Sequence, residues 1–171
     1  MCMFKVLKMG HLITFVENVI YLVVQFAAWI SRKVWIMPKF SQTSFSRLST
    51  CHIDLQVLFF EVVRSFDCSV LEGYRNEEDQ EKAFSKGNTQ LHYPHGKHNH
   101  QPSMAVDVAP FPIAFDDIKR FYYFAGWIQG IAKRLKDEGK MTYSIRWGGV
   151  WDRDTQMKDN TFQDLVHYEL I

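Results

Sequence analysis

The sequence predicts an α+β fold, a small antiparallel sheet flanked by helices, and three observations carry that expectation. Two segments, around residues 55–66 and 118–135, repeat apolar residues at helical spacing. Four short runs, beginning at Cys68, Met104, Tyr143 and His167, read as strands. The 171 residues suffice for one domain with a real core and are too few for two ordinary ones.

Composition narrows the function. The chain is 47% hydrophobic with a net charge of +1, which argues against disorder and against a basic nucleic-acid surface. Cys2, Cys51 and Cys68 show no CxxC spacing and leave an odd one over. They read as buried free thiols, so His and carboxylate would hold any metal.

Residues 1–36 differ from the rest. Leu12 to Ile30 is mostly apolar, with Lys5 and Lys8 before it and Arg32 and Lys33 after it, as in a signal anchor or single span. Glu17, Asn18 and Gln25 interrupt the run, and a central carboxylate costs roughly 2.5 to 3.5 kcal/mol on insertion. Three readings stand: a membrane anchor, an extra hydrophobic helix packed on the domain, or an upstream extension before a true start at Met37.

From Met37 the texture is that of a soluble domain. Thr43 or Ser44 is expected to cap a short helix, and Asp54 a second one carrying Leu55, Leu58, Phe59, Val62, Val63 and Phe66. Cys68–Gly73 reads as a strand and Glu77–Lys86 as a helix ended by Gly87, which sets Arg75 on the strand-to-helix turn, a usual place for ligand contact. Residues 88–103 lack periodicity and form a long loop, of the kind that is usually functional. Met104–Ala109 is a strand closed by Pro110 and Pro112, and Asp116 or Asp117 caps a long helix to about Lys136, ended by Gly139. Tyr143–Trp147 and His167–Ile171 complete the sheet, separated by the flexible pair Gly148-Gly149 and a polar, turn-rich stretch.

The chemistry concentrates between Pro94 and Pro112, which holds three of the seven histidines and Asp107. A lone Asp inside the apolar run 104–109 must be paired, protonated or bound to a cation. A catalytic zinc takes three protein ligands and leaves a fourth position for water. A loop histidine, Asp107 and His167 can supply the three. Asp164, three residues before His167, can face the same ion as the base, and Arg75 is the candidate to stabilise a developing oxyanion.

Three motifs lie in order along the chain: GYRxxxxQ at Gly73–Gln80, HNxxPSxAVDxAP at His98–Pro110 and DxxHxE at Asp164–Glu169. Together they resemble the zinc D-alanyl-D-alanine carboxypeptidases and phage endolysin peptidases of the lysostaphin, D-Ala-D-Ala peptidase and hedgehog superfamily. The resemblance covers about Met37 to Ile171 and is closest to the phage and prophage branch, in which a stretch like Ile145-Arg-Trp-Gly-Gly149 also recurs. It implies a hedgehog/D-Ala-D-Ala peptidase-like fold, zinc bound by His98, Asp107 and His167, Asp164 as general base, and Arg75 on the scissile carbonyl. It also brings Gln80 and Trp147 to the cleft as weaker substrate-binding candidates. The usual family spacing puts the first histidine seven residues before the aspartate, at His100, whereas the longer phage spacing puts it at His98, where Asn99, Pro102 and Ser103 also match. His98 is the preferred ligand and His100 the alternative.

The function implied is hydrolysis of an amide in the peptide stem of peptidoglycan, first as an L-Ala-D-Glu endopeptidase and second as a D-Ala-D-Ala carboxypeptidase. The rival from another class is a zinc-containing cell-wall binding module without turnover, which would need neither Asp164 nor Arg75. The string His98-Asn99-His100 does not make a nuclease, because the charge is near neutral and no basic stripe exists. A monomer is expected, with membrane contact through residues 12–30. It would be held in the bacterial cytoplasm until release, or anchored in the inner membrane facing the periplasm.

Overall fold

A computed structural model describes residues 39–154, 156–159 and 162–171. The expectations for residues 1–36, including the extra hydrophobic helix, lie outside the described residues. Among the described residues no helix is long and apolar enough to cross a membrane.

The elements follow the expected order. Helices α1 (Gln42–Leu48) and α2 (Ile53–Val63) precede strand β1 (Cys68–Glu72) and helix α3 (Glu77–Ser85). A 3₁₀ turn (Lys97–Asn99) interrupts the long loop before strand β2 (Ala105–Pro110) and helix α4 (Ile118–Asp137). Strands β3 (Ile145–Trp147) and β4 (His167–Leu170) close the chain. The sheet order is β1-β2-β4-β3, and every pairing is antiparallel.

The pleat divides the sheet into two faces with different tasks. Val70, Val106, Val108, Trp147, Tyr168 and Leu170 point into a core shared with Leu55, Leu58, Phe59 and Val62 of α2 and Phe124, Ala125 and Ile128 of α4. The alternate residues Asp107, His167, Glu169 and Arg146 therefore share the opposite face. The register sets Asp107 opposite His167 and Arg146 opposite Glu169.

Several local expectations are corrected, the caps because a polar group is used elsewhere. Ser41, not Thr43 or Ser44, caps α1, because the buried Ser44 hydroxyl accepts the Val70 amide of edge strand β1 at 3.1 Å. His52, not Asp54, caps α2, with Nδ1 accepting the Asp54 amide at 3.2 Å. The Asp54 carboxylate instead accepts the amides of Thr142 and Tyr143 at 2.7 and 2.8 Å. That diversion also shortens β3, which was expected from Tyr143. Pro110 belongs to β2 as its terminal pair with Cys68, beyond which the amide of Phe111 donates to Asp67. Asp117 caps α4, as one of the two aspartates expected there.

Two glycines are required by close approach. A Cβ on Gly73 would lie 2.3 Å from the Arg47 carbonyl and from Thr50 Oγ1. On Gly148 it would lie 2.4 Å from the Asp164 carbonyl, so this residue is a packing site and not the flexible joint expected. Cys51 and Cys68 are buried and free, and burial pushes both thiols up to about 12, which leaves them inert.

Asp54 ties the start of α2 to the turn after α4 by satisfying two amides at once. Asp54→Ala is expected to destabilise the domain by about 1–3 kcal/mol, because a charged acceptor for two amides is lost while the exposed positions of Thr142 and Tyr143 let water compensate in part. Urea unfolding should show a lower midpoint at unchanged slope.

Candidate active site

The site is assembled where the β2–β4 pair meets the 3₁₀ turn. His98 arrives on that turn, which is fixed by Asn99: Oδ1 accepts the Gly96 amide at 2.9 Å and Nδ2 donates to the Arg75 carbonyl at 2.9 Å. The backbone of His98 in turn accepts the Arg75 amide at 2.9 Å. Thus the loop bearing the histidine and the turn bearing the arginine are built as one unit.

His98, Asp107 and His167 converge on a single point. His98 Nε2 lies 3.2 Å from Asp107 Oδ1 and 3.2 Å from His167 Nδ1, and His167 Nδ1 lies 3.1 Å from Asp107 Oδ1. Ligand bonds of about 2.0–2.1 Å at tetrahedral angles would separate the ligand atoms by about 3.3–3.4 Å. The triangle is within a few tenths of an ångström of that spacing, and all three residues are buried.

The outer nitrogens decide the tautomers. His98 Nδ1 lies 2.7 Å from the Gly73 carbonyl, which can only accept, so the proton sits on Nδ1 and the Nε2 lone pair faces the triangle. His167 Nε2 lies 3.2 Å from Glu169 Oε2, leaving the Nδ1 lone pair on the same point. Two imidazole lone pairs and one carboxylate oxygen facing each other demand a positive charge between them. His98, Asp107 and His167 can hold a metal ion.

The electrostatics agree. Burial opposes ionisation of Asp107, but its interactions with the two imidazoles, His98 before His167, outweigh it and hold the carboxyl well below the usual range. Burial also opposes an imidazolium at His167, yet hydrogen bonds to Asp107 and Glu169, with the Asp107 and Asp164 charges, push it up to about 9. Each shift expresses the same local demand for a cation, which a proton or a metal ion can meet.

Around the triangle lies a cleft of about 460 Å³, lined among others by Arg75, Gln80, Arg146, Trp151, Asp164 and Glu169. Asp164 is half-buried, and burial, followed by the Asp107 charge, raises its pKa above the ordinary carboxylate value. Its backbone is pinned on both sides: its N–H donates to the Gly148 carbonyl at 2.8 Å, and its carbonyl accepts the His167 N–H at 3.2 Å. Arg75 pairs with Glu72, and its Nη2 reaches within 3.9 Å of Asp107 Oδ2.

Gln80 and Trp147 occupy different places. Gln80 is 1% exposed, and its Oε1 accepts from Arg75 Nη1 at 3.1 Å and Asn99 Nδ2 at 3.2 Å, while its Nε2 donates to the Leu91 carbonyl at 2.6 Å. It thus clamps the arginine and the loop wall. Trp147 is buried in the core, donates Nε1 to the Leu165 carbonyl at 2.9 Å, and does not line the cleft. His100 is exposed and outside the triangle. His95 lies on the cleft rim, and His92 packs on Phe84 beside Glu81.

Sequence reasoning left four contributors without a role: Glu72, Asn99, Arg146 and Glu169. Charged residues at 146 and 169 inside short strands were the available signal, because a strand flanked by core partners tolerates a charge only where it is paired.

The family described as phage L-alanyl-D-glutamate peptidase matches residues 36–171. No curated protein matches the chain. Among solved structures, the Serratia marcescens L-Ala D-Glu endopeptidase ChiX is similar in fold, with a TM-score of 0.61 at 22% identity, covering 81% of this chain and 94% of that one.

His98→Ala and Asp107→Ala should each reduce bound divalent metal from stoichiometric to trace after dialysis, while His100→Ala should retain it. Metal content by atomic emission distinguishes the two histidines.

Proposed function

The chain belongs to the phage L-alanyl-D-glutamate peptidase family, endopeptidases that act on peptidoglycan, and we propose that it works with one zinc ion bound by His98, Asp107 and His167. The observation that carries this reading is the convergence of two imidazole lone pairs and one carboxylate oxygen within 3.1–3.2 Å of each other beside Asp164 and Arg75. Two nitrogens and one carboxylate are a donor set typical of hydrolytic zinc, and His98, Asp107 and His167, which would hold it, all line the cleft. When bound, zinc polarises the scissile carbonyl and lowers the pKa of water to near neutral.

The protein residues supply the remaining steps. Asp164, held at the cleft wall by its backbone bonds to Gly148 and His167, accepts the proton of the attacking water. Its raised pKa suits it to keep that proton and return it to the amine of the departing D-Glu. Arg75 presents a fixed positive charge to the oxygen of the scissile carbonyl as negative charge develops there. Glu72 and Gln80 hold that guanidinium in advance, so little reorganisation is needed at the moment of reaction. In this reading Gln80 positions Arg75 and Trp147 supports the sheet, and neither binds substrate.

Residues 37–171 form the peptidase unit, in keeping with the family match over residues 36–171. It acts on the cell wall as a monomer, and residues 12–30 give any membrane contact. A chain truncated to Met37–Ile171 should elute as a monomer and keep full activity.

Asp164→Asn should retain zinc and lower turnover about 10²–10⁴-fold, the usual contribution of a general base. Arg75→Lys should retain zinc and lower turnover about 10²–10³-fold, as loss of an oxyanion contact does. Mass spectrometry of digested peptidoglycan reads both, with stem peptides bearing a new D-Glu amine as product. Full turnover by Asp164→Asn would remove the base assignment, and release of D-Ala would reassign the bond.

A further inference from the structure

The four-residue row on the cleft face of the sheet extends past the metal triangle. His167 and Glu169 are two residues apart on β4 and so point the same way, Asp107 stands opposite His167 on β2, and Arg146 stands opposite Glu169 on β3. Glu169 is 4% exposed, an unusual place for a carboxylate. Its two oxygens have separate tasks. Oε1 accepts from Arg146 Nε at 2.9 Å and Nη2 at 2.5 Å, and Oε2 lies 3.2 Å from His167 Nε2. Arg146 is held from its other side: Nη1 donates to the Trp151 carbonyl at 3.3 Å and the guanidinium lies 5.2 Å from the centre of the Trp151 ring. The same indole tilts against the His167 ring at 5.5 Å.

We infer that Glu169, locked by Arg146, is a positioning residue that fixes His167 as an Nδ1 ligand, and that Arg146 and Glu169 together form one hydrogen-bonded support behind it. The inference rests on the zinc reading above. An imidazole can present either nitrogen to a metal, and the choice is made by whatever accepts the proton of the other. Here Arg146 occupies Oε1 completely, so only Oε2 can accept, and it lies on the Nε2 side of the ring. The ring is thus prevented from turning over, and its lone pair is aimed at Asp107 Oδ1 and His98 Nε2. The charge count also matters. Arg146 neutralises Glu169, so the carboxylate can accept a hydrogen bond from a neutral imidazole without adding a second full negative charge beside Asp107. The bland alternative is a cross-strand ion pair that only joins β3 to β4. It would leave metal affinity unchanged.

The test is zinc affinity of the full chain by competition with a chromophoric chelator, together with the visible spectrum of the cobalt(II) form. Glu169→Met, which keeps bulk and removes the acceptor, should weaken zinc binding about 10–100-fold, the usual effect of losing such an outer partner. It should also change the cobalt spectrum. Glu169→Gln, which keeps an acceptor for Nε2–H, should lie between Met and wild type. If Glu169→Met fails to fold because half-buried Arg146 loses its ion-pair partner, Arg146→Met with Glu169→Met removes the unmatched charge and carries the measurement, with the same weakening expected. An affinity within about twofold of wild type and an unaltered cobalt spectrum would reduce Glu169 to an ion-pair partner and overturn the inference. Absence of stoichiometric zinc in the wild type would instead overturn the zinc reading on which it rests.

Discussion

The pairing of Asp107 on β2 with His167 on β4 is the constraint on which the rest depends. These residues are directly opposed across an antiparallel ladder, and their side chains meet at 3.1 Å on the face away from the core. Because the side-chain period of a strand is two, a slip of one residue would turn Asp107 into the core and bring Val106 or Val108 to the cleft. The apolar partners therefore protect the site. Val106, Val108, Tyr168 and Leu170 are fully buried against α2 and α4, so the register that fills the core is the register that forms the triangle. Stability and chemistry select the same alignment.

What the sheet cannot supply comes from the loops, and those loops are held by side-chain hydrogen bonds in place of a ladder. Gln80 ties that scaffold together, since its one amide bonds Arg75, Asn99 and the Leu91 backbone. Its burial in an otherwise polar helix is explained by satisfaction of both ends of its amide. Asn99 repeats the device one step further along, fixing the 3₁₀ turn to the Arg75 turn. Gly73 permits both, because its carbonyl accepts from His98 while its α-carbon lies against the end of α1 and the turn after it, where a Cβ would meet Arg47 and Thr50 at 2.3 Å.

The electrostatic arrangement follows from burial. Asp107, Glu169 and half-buried Asp164 surround two imidazoles and are countered within the protein by Arg75 and Arg146. Burying unpaired charges costs several kcal/mol each, so such a cluster persists only when its members are matched. The arginines do not neutralise the centre of the triangle. Around that centre Asp107, Asp164 and His167 all carry shifted protonation, as a group that can hold a cation should.

The sequence by itself determined the element order and the candidates for the triangle, Asp107, His167 and one of His98 and His100. Helical periodicity marked α2 and α4, because a stripe of Leu, Val and Phe at that spacing has no other economical use. Asp107 announced itself as a carboxylate in an apolar strand. The motifs around Gly73, His98 and Asp164 carried the family, and therefore the reaction, through residue types whose chemistry needs them. Only the tertiary structure set His98, and not His100, beside Asp107 and His167, because that depends on which ring the 3₁₀ turn carries inward. The caps were misread at Ser44 and Asp54 for a related reason: their side chains satisfy amides 26 and 88 residues away, partners that local sequence does not display. Trp147 shared a motif with the cleft and a face with the core, and the pleat settled it. Glu169 and Arg146 gained meaning only when β3 and β4 were in register. Local pattern states what each segment can form, and long-range pairing determines which polar groups remain free to act.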